Sequence, residues 1–279
     1  MSLMSKLSAT ILLGASLFAA TNAEVEQFLK NSISKNPNVS DLKVEVLESR
    51  ALSEPKGWEA FIVSLNAKIE KDGKKNEISQ NMVYFAKDNI ITRELTDIKT
   101  GQSLKDRISA EFDDAYYTKA NLISGNEKSK HKVAIFSDPL CPFCRGYVPE
   151  AIEYMKKYPE TFAIYYYHLP LEQLHPAAPT ITKAATAAEL KGAQDVLMQM
   201  YKIPMSITRE SNESKILDLF NKTLNTSLKL TDINSPMVKA HIKSDLEIAN
   251  ALMVNGTPTI FFDGQKDGSK TKYKEVKVK

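Results

Sequence analysis

The sequence predicts an α+β domain, a linker helix and then an α/β domain with a helical insertion. Three observations carry that reading. Early in the chain, strand-like runs follow one another, separated by turn residues. Later an apolar strand runs directly into Cys141-Pro142-Phe143-Cys144 and an amphipathic helix. Near the end, Gly256-Thr257-Pro258 leads into a final strand. With 279 residues the chain exceeds one domain of roughly 100–200 residues.

The first residues have the form of an export address. Lys6 supplies a positive start, Leu7 to Ala20 is uncharged and largely apolar, and Thr21-Asn22-Ala23 places small residues where a signal peptidase cuts. The apolar run is shorter than the roughly 20 residues a spanning helix needs. Residues 1–23 are therefore expected to be a cleavable signal peptide and the mature protein to be periplasmic.

The expected N-terminal domain occupies 24–102. A short amphipathic helix over 24–34 precedes strands at Leu42 to Leu47, Ala60 to Ile69, Ile78 to Phe85 and Ile90 to Leu95. Turn signals at Lys71-Asp72-Gly73 and Lys87-Asp88-Asn89 separate them. Residues 103–130 begin with helical composition and become polar from Gly125, which reads as a linker helix. The second domain, 131–279, opens on the strand Val133 to Phe136. The helix after Cys144 carries Val148, Ile152 and Met155 on one face, with Pro149 expected to kink it. Thr161 to His168 is the next strand, so the pair should be parallel. A helical insert fills about 171–254, with breaks near Gly192, Pro204 and Asn234-Ser235-Pro236. The strand Thr259 to Phe262 and its turn at Asp263-Gly264 then begin a two-strand finish.

Composition excludes several functions. A net charge of +3, dispersed along the chain, gives no basis for nucleic-acid binding, and there is no glycine-rich phosphate loop. The two cysteines are too few for a disulfide-stapled scaffold. A zinc site is disfavoured because four ligands are needed and His131, His168, His175 and His241 are scattered. No metal or other cofactor is expected. What survives is redox chemistry. Disulfide exchange needs an attacking thiolate and a second thiol that resolves the mixed disulfide. A CxxC at a strand-to-helix turn places Cys141 at the helix start, where free N–H groups and the dipole favour an anion, and Cys144 one turn further in. Pro142 fits the first helical position because it lacks only a hydrogen that no partner needs. An ordinary cysteine is only about 3% thiolate at pH 7, so a lowered pKa matters. The alternatives are a structural disulfide or two buried thiols. Thr257-Pro258 reads as a cis-proline loop facing the cysteines, whose backbone could bind an extended substrate.

FSDPLCPFC, followed more than a hundred residues later by DLEIANALMVNGTPTIFF, resembles the periplasmic DsbC/DsbG-type thiol:disulfide interchange proteins of the thioredoxin superfamily. VYFAKDNIITRELTDIKTGQSL is similar to the last hairpin of that family's cystatin-like dimerisation domain. The resemblance implies a thioredoxin fold, with Cys141 as nucleophile and Cys144 as resolving thiol. It also implies Pro142 and Phe143 as tuning residues and Thr257 and Pro258 on the substrate side. Thr257 resembles the isomerase branch, and Phe143 stands where DsbA-type oxidases have histidine. The implied protein is a homodimeric isomerase or reductase acting on exported proteins, with a membrane redox partner of the DsbD or DsbB kind. A DsbA-like oxidase and a periplasmic chaperone are the alternatives. Eleven residues follow Gly268, so that family's terminal helix is expected to be short or missing.

Other residues have more ordinary readings. His168 and His175 flank Pro170 and could donate protons, but as surface or satisfied core residues they would do no chemistry. Asp138 suits a turn or cap. Tyr165 to Tyr167 reads as alternating core and surface on a strand. Asn212 lies in an acidic-type bacterial glycosylation sequon, Glu210 to Ser214.

Overall fold

A computed structural model describes residues 20–71, 74–101, 103–108, 112–193 and 195–278. The expected signal peptide lies outside the described residues as far as position 19. The chain divides into two compact units, one ending at residue 108 and the other beginning at 109. No helix among the described residues is long and apolar enough to cross a membrane.

In the first unit, helix α1 (Asn22–Ile33) begins two residues before the expected helix. Thr21 and Glu24 form a reciprocal capping box there, satisfying backbone donors at the helix start. Four antiparallel strands follow in sheet order: β1 (Val39–Ala51), β2 (Glu59–Lys71), β3 (Lys74–Lys87) and β4 (Ile90–Thr92). The β2–β3 turn falls on positions outside the described residues. At the β3–β4 turn Asp88 takes a φ of 52°, a left-handed conformation that a short polar side chain tolerates. Phe61, Val63 and Leu65 alternate along β2 and bury against Val25 and Leu29 of α1.

Among the described residues of 103–130 the expected linker helix is not formed. The described residues there hold two single 3-10 turns, Leu104–Arg107 and Asp114–Tyr116, and a short strand β5 (Leu122–Ser124). The division between units falls inside this stretch. Tertiary packing overrides local helical preference. Leu104 and Ile108 are buried in the first unit, while Phe112 joins an aromatic cluster with Phe136, Tyr167 and Phe261 in the second.

The second unit continues with β6 (His131–Ser137), α2 (Pro142–Lys156), β7 (Phe162–His168), α3 (Ala178–Leu190), α4 (Val196–Gln199), α5 (Glu213–Leu224), α6 (Leu230–Ile233), α7 (Pro236–Ala251), β8 (Thr259–Phe262), β9 (Gln265–Lys266) and α8 (Lys272–Glu275). Its sheet order is β5-β7-β6-β8-β9, with β6 and β7 parallel and β8 antiparallel to β6. Helix α2 runs through Pro149 without ending. The β8–β9 turn is Asp263-Gly264, both with positive φ. Gly125 is the position where glycine is required. At a φ of 77°, a Cβ would sit 2.1 Å from the Phe162 carbonyl oxygen.

Both faces of this sheet are covered. Val133 and Ile135 pack with Val148, Ile152 and Met155 of α2 on one side. Ala134 and Phe136 pack with Ile248, Ala249 and Leu252 on the other. For this reason the expected alternation of Tyr165 to Tyr167 between core and surface does not occur. All three are buried, Tyr165 and Tyr167 on one face and Tyr166 on the other. Phe136 is fully buried and stacks on Tyr167 at 4.8 Å. Phe136→Ala should lower the free energy of unfolding by about 3–5 kcal/mol in urea titration.

Candidate functional site

Strand β6 ends at Ser137 and α2 begins at Pro142, so Asp138 to Cys141 form the crossover between them. A single carboxylate shapes this turn. Asp138 is fully buried, and its Oδ1 accepts from the backbone N–H groups of Leu140 at 2.7 Å and Cys141 at 3.1 Å. Its Oδ2 accepts from the Leu171 N–H at 2.7 Å and lies 2.9 Å from His175 Nδ1. Asp138 therefore has the turn-forming role, and His175 contacts its second oxygen.

Cys141 occupies the N-cap position of α2 in an extended conformation, with Pro142 at the first turn. Cys144, one turn on, is fully buried, and both cysteines are free thiols. Pro142 and Phe143 are turned outward, Phe143 being 78% exposed. The loop before β8 meets the thiols from the other side. Its Thr257–Pro258 peptide is cis, and the Thr257 carbonyl oxygen lies 3.4 Å from Cys141 Sγ. Cys141, Cys144, Thr257 and Pro258 thus converge although 116 positions separate Cys141 from Thr257.

The electrostatics divide the two sulfurs. The Cys144 thiol, donating to Cys141, is the largest influence holding Cys141 well below the usual thiol range, at about 5. The Thr257 side chain and the N–H groups of Cys144 and Phe143 act the same way, against burial. Cys144 moves in the opposite direction, raised by keeping the shared proton and by desolvation. The Thr257 hydroxyl oxygen is buried without a hydrogen-bond partner of standard geometry, and its influence lowers both sulfurs. The carbonyl of the same residue favours the protonated thiol. The donors outnumber it, so the thiolate prevails.

Behind Cys144 lies a chain of buried hydroxyls with no motif to announce it. Ser137 lowers the Cys144 thiol by hydrogen bonding, and its Oγ is 2.7 Å from the Tyr201 hydroxyl. That hydroxyl is 2.8 Å from the Tyr166 hydroxyl. Ser137 could have been found from its position at the end of the strand entering CxxC. Tyr201 sits in the helical insert and has no local signal. His168 is not drawn to the thiols. It lies buried at the end of β7, beside His241 and Asp245 of α7.

A family model described as thioredoxin matches residues 117–278. Among curated proteins, the Na(+)/H(+) antiporter NhaA 1 of Mycolicibacterium gilvum (strain PYR-GCK) is 23% identical over 137 residues, 47% of this chain and 21% of that protein. NhaA 3 of Salinispora tropica is 26% identical over 148 residues, 52% of this chain and 22% of that protein. The chain spans about a fifth of the length of these relatives. Among solved structures, a thioredoxin-like oxidoreductase from Silicibacter pomeroyi DSS-3 is 21% identical, with 57% of this chain and 91% of that one covered and a TM-score of 0.46. Proteus mirabilis ScsC in a compact conformation is 20% identical, covers 55% of this chain and 74% of that one, and has a TM-score of 0.44.

Because Cys144 is the principal donor to Cys141, the two replacements of Cys144 should differ. In Cys144→Ser a hydroxyl still donates, and the thiolate absorbance of Cys141 should titrate at lower pH than in Cys144→Ala. Equal titration curves would contradict the donor assignment. The sign of the stability effect follows from a folded pKa below the unfolded value near 9. The thiolate's contribution is complete above about pH 9 and lost as pH falls through about 5. Between those limits the reduced protein should gain stability with rising pH relative to Cys141→Ala. Solvent at the adjoining surface screens the thiolate, so the slope should stay below the one-proton limit of about 1.4 kcal/mol per pH unit.

Proposed function

The chain belongs to the thioredoxin family, and from that premise we propose that it is a thiol–disulfide oxidoreductase that donates its Cys141–Cys144 disulfide to exported proteins. The observation that carries this is the unequal placement of the two sulfurs: Cys141 at the N-cap of α2 beside the cis Thr257–Pro258 peptide, and Cys144 fully buried one turn on. In the oxidised enzyme, a substrate thiolate attacks Cys141 Sγ, the Cys141–Cys144 bond breaks, and Cys144 leaves and takes up a proton. A second substrate thiolate then attacks the substrate sulfur of the mixed disulfide. The substrate disulfide forms and Cys141 departs as thiolate. Stabilising that departing thiolate stabilises the reduced enzyme and makes the disulfide more oxidising. Cys141 is held well below the usual thiol range, the direction that makes the disulfide more oxidising. Phe143 offers an exposed apolar contact for unfolded substrate, and Thr257 offers backbone beside the nucleophile.

The isomerase or reductase expected from the resemblance to DsbC/DsbG-type proteins is the second reading. It is favoured by the α+β unit ahead of the redox unit and by threonine before the proline. On either reading the protein works in the periplasm. A membrane partner of the DsbB kind would reoxidise it, or one of the DsbD kind would keep it reduced.

Acid-trapping of cells followed by alkylation measures the poise. The pair should be mostly oxidised, and the purified oxidised enzyme should form disulfides in a reduced unfolded substrate. A mostly reduced pair would move the assignment to the isomerase. Cys141→Ser should abolish both activities, whereas Cys144→Ser should accumulate mixed disulfides. We further propose that the first unit makes the protein a homodimer, since β1 presents a sheet edge of 13 residues. Light scattering should give twice the chain mass, and a monomer would remove the proposal.

A further inference from the structure

Spacing in the sequence argues against a metal centre, yet folding brings two of the scattered histidines together. His168 ends β7, and α7 carries His241 and Asp245 one helical turn apart on the same face. One donor atom from each lies within 4.8 Å of those of the other two. We propose that His168, His241 and Asp245 form a binding site for a first-row divalent transition ion of the zinc type.

Three observations point to an ion rather than to a hydrogen-bonded cluster. His168 is 1% exposed, and its Nδ1 is buried with no hydrogen-bond partner. A ring nitrogen in that condition has lost its water and gained nothing in return. His241 Nε2 and Asp245 Oδ2 are 3.6 Å apart. That separation is too long for a hydrogen bond. It is close to the edge of about 3.4 Å between two ligands of a tetrahedral ion with bonds of about 2.0–2.1 Å. Asp245 is also held as an oriented ligand would be. Its Oδ1 accepts from Asn121 Nδ2 at 2.7 Å and its Oδ2 from the His168 backbone N–H at 2.8 Å. Each oxygen keeps a second lone pair, and such partners fix the direction of a metal-binding carboxylate.

The donor set selects the ion. Two imidazoles with one carboxylate suit zinc and its neighbours, whereas calcium and magnesium take oxygen ligands. Among the described residues the ionic partner of Asp245 is His241, and no lysine or arginine pairs with it. A cation supplies the missing countercharge. His241 keeps 18% of its side chain exposed, so solvent reaches the site and provides the fourth position. The bound ion would fasten α7, the last helix of the insert, to the end of β7, whose His168 pairs in register with Ser137 behind the thiols.

Cys141 and Cys144 could themselves take zinc, so the test uses the full chain with its disulfide closed. That choice also makes the outcome independent of the redox reading. Calorimetric titration with zinc chloride should give one ion per chain at micromolar zinc or below, and zinc should raise Tm. Cobalt(II) in its place should show the visible absorption of a tetrahedral site without thiolate charge-transfer bands. His241→Gln and Asp245→Asn should each weaken zinc binding by about tenfold or more and lose the Tm increase. His241 is on the rim, so His241→Gln alone decides if Asp245→Asn does not fold. The proposal is overturned if the oxidised protein takes up no zinc, or if folded His241→Gln binds it as tightly as the wild type.

Discussion

The geometry of the Cys141–Cys144 pair depends on one buried carboxylate. Asp138 accepts three backbone N–H groups and contacts His175, so it joins the end of β6, the start of α2 and the loop after β7. A fully buried carboxylate is costly unless its lone pairs are filled, and here they are. The consequence is geometric. Cys141 is held at the N-cap of α2 with its sulfur toward the Thr257 loop, and Cys144 is carried inward by one helical turn. Without that turn the two sulfurs would be two ordinary thiols.

Around this frame the chemistry is made almost wholly of neutral groups. The largest influences on Cys144 are the Cys141 thiol and burial, followed by the hydroxyls of Ser137 and Thr257 and the Asp138 N–H. Hydroxyls can donate or accept by rotating, so a chain from Ser137 through Tyr201 to Tyr166 adapts to either protonation state of the buried thiol. Such a lining separates the sulfurs' affinities for one proton through hydroxyl and backbone groups. The asymmetry is therefore internal to the pair, set by which sulfur donates and which accepts.

The same sheet serves two neighbourhoods. Strand β6 delivers Ser137 to the thiols, and its parallel neighbour β7 ends in register with it at His168. The β7 end meets α7, where polar groups stand in for core: Asn121, Asp245 and His241 instead of aliphatic residues. Buried polar groups are kept where they are satisfied by one another or by something bound. The aromatic face built from Phe112, Phe136, Tyr167 and Phe261 insulates the sheet on the same side as Ile248 and Leu252.

Much of the layout was legible from local chemistry. The strand at Ala60 to Ile69, the strand–CxxC–helix order and the Asp263-Gly264 turn depend on neighbours in sequence, and each appears in the structure. So does the approach of Thr257 to Cys141, because a strand returning beside β6 can bring its preceding loop nowhere else. Other features rest on contacts between distant segments. Residues 103–130 have helical composition, yet Phe112 gains more by packing on Phe136 and Phe261 than a free-standing helix would return. Tyr165 to Tyr167 are all buried because helices cover both faces, which alternation in one strand cannot reveal. Tyr201 reaches Ser137 from 64 residues away, and His168 meets His241 only through the packing of α7. The sequence by itself determined the strands of the first unit and the strand–CxxC–helix order, since these are set by neighbours within a few residues. Tertiary structure decided which buried polar groups surround that pair and which histidines meet, because those distances exist only once the chain has closed on itself.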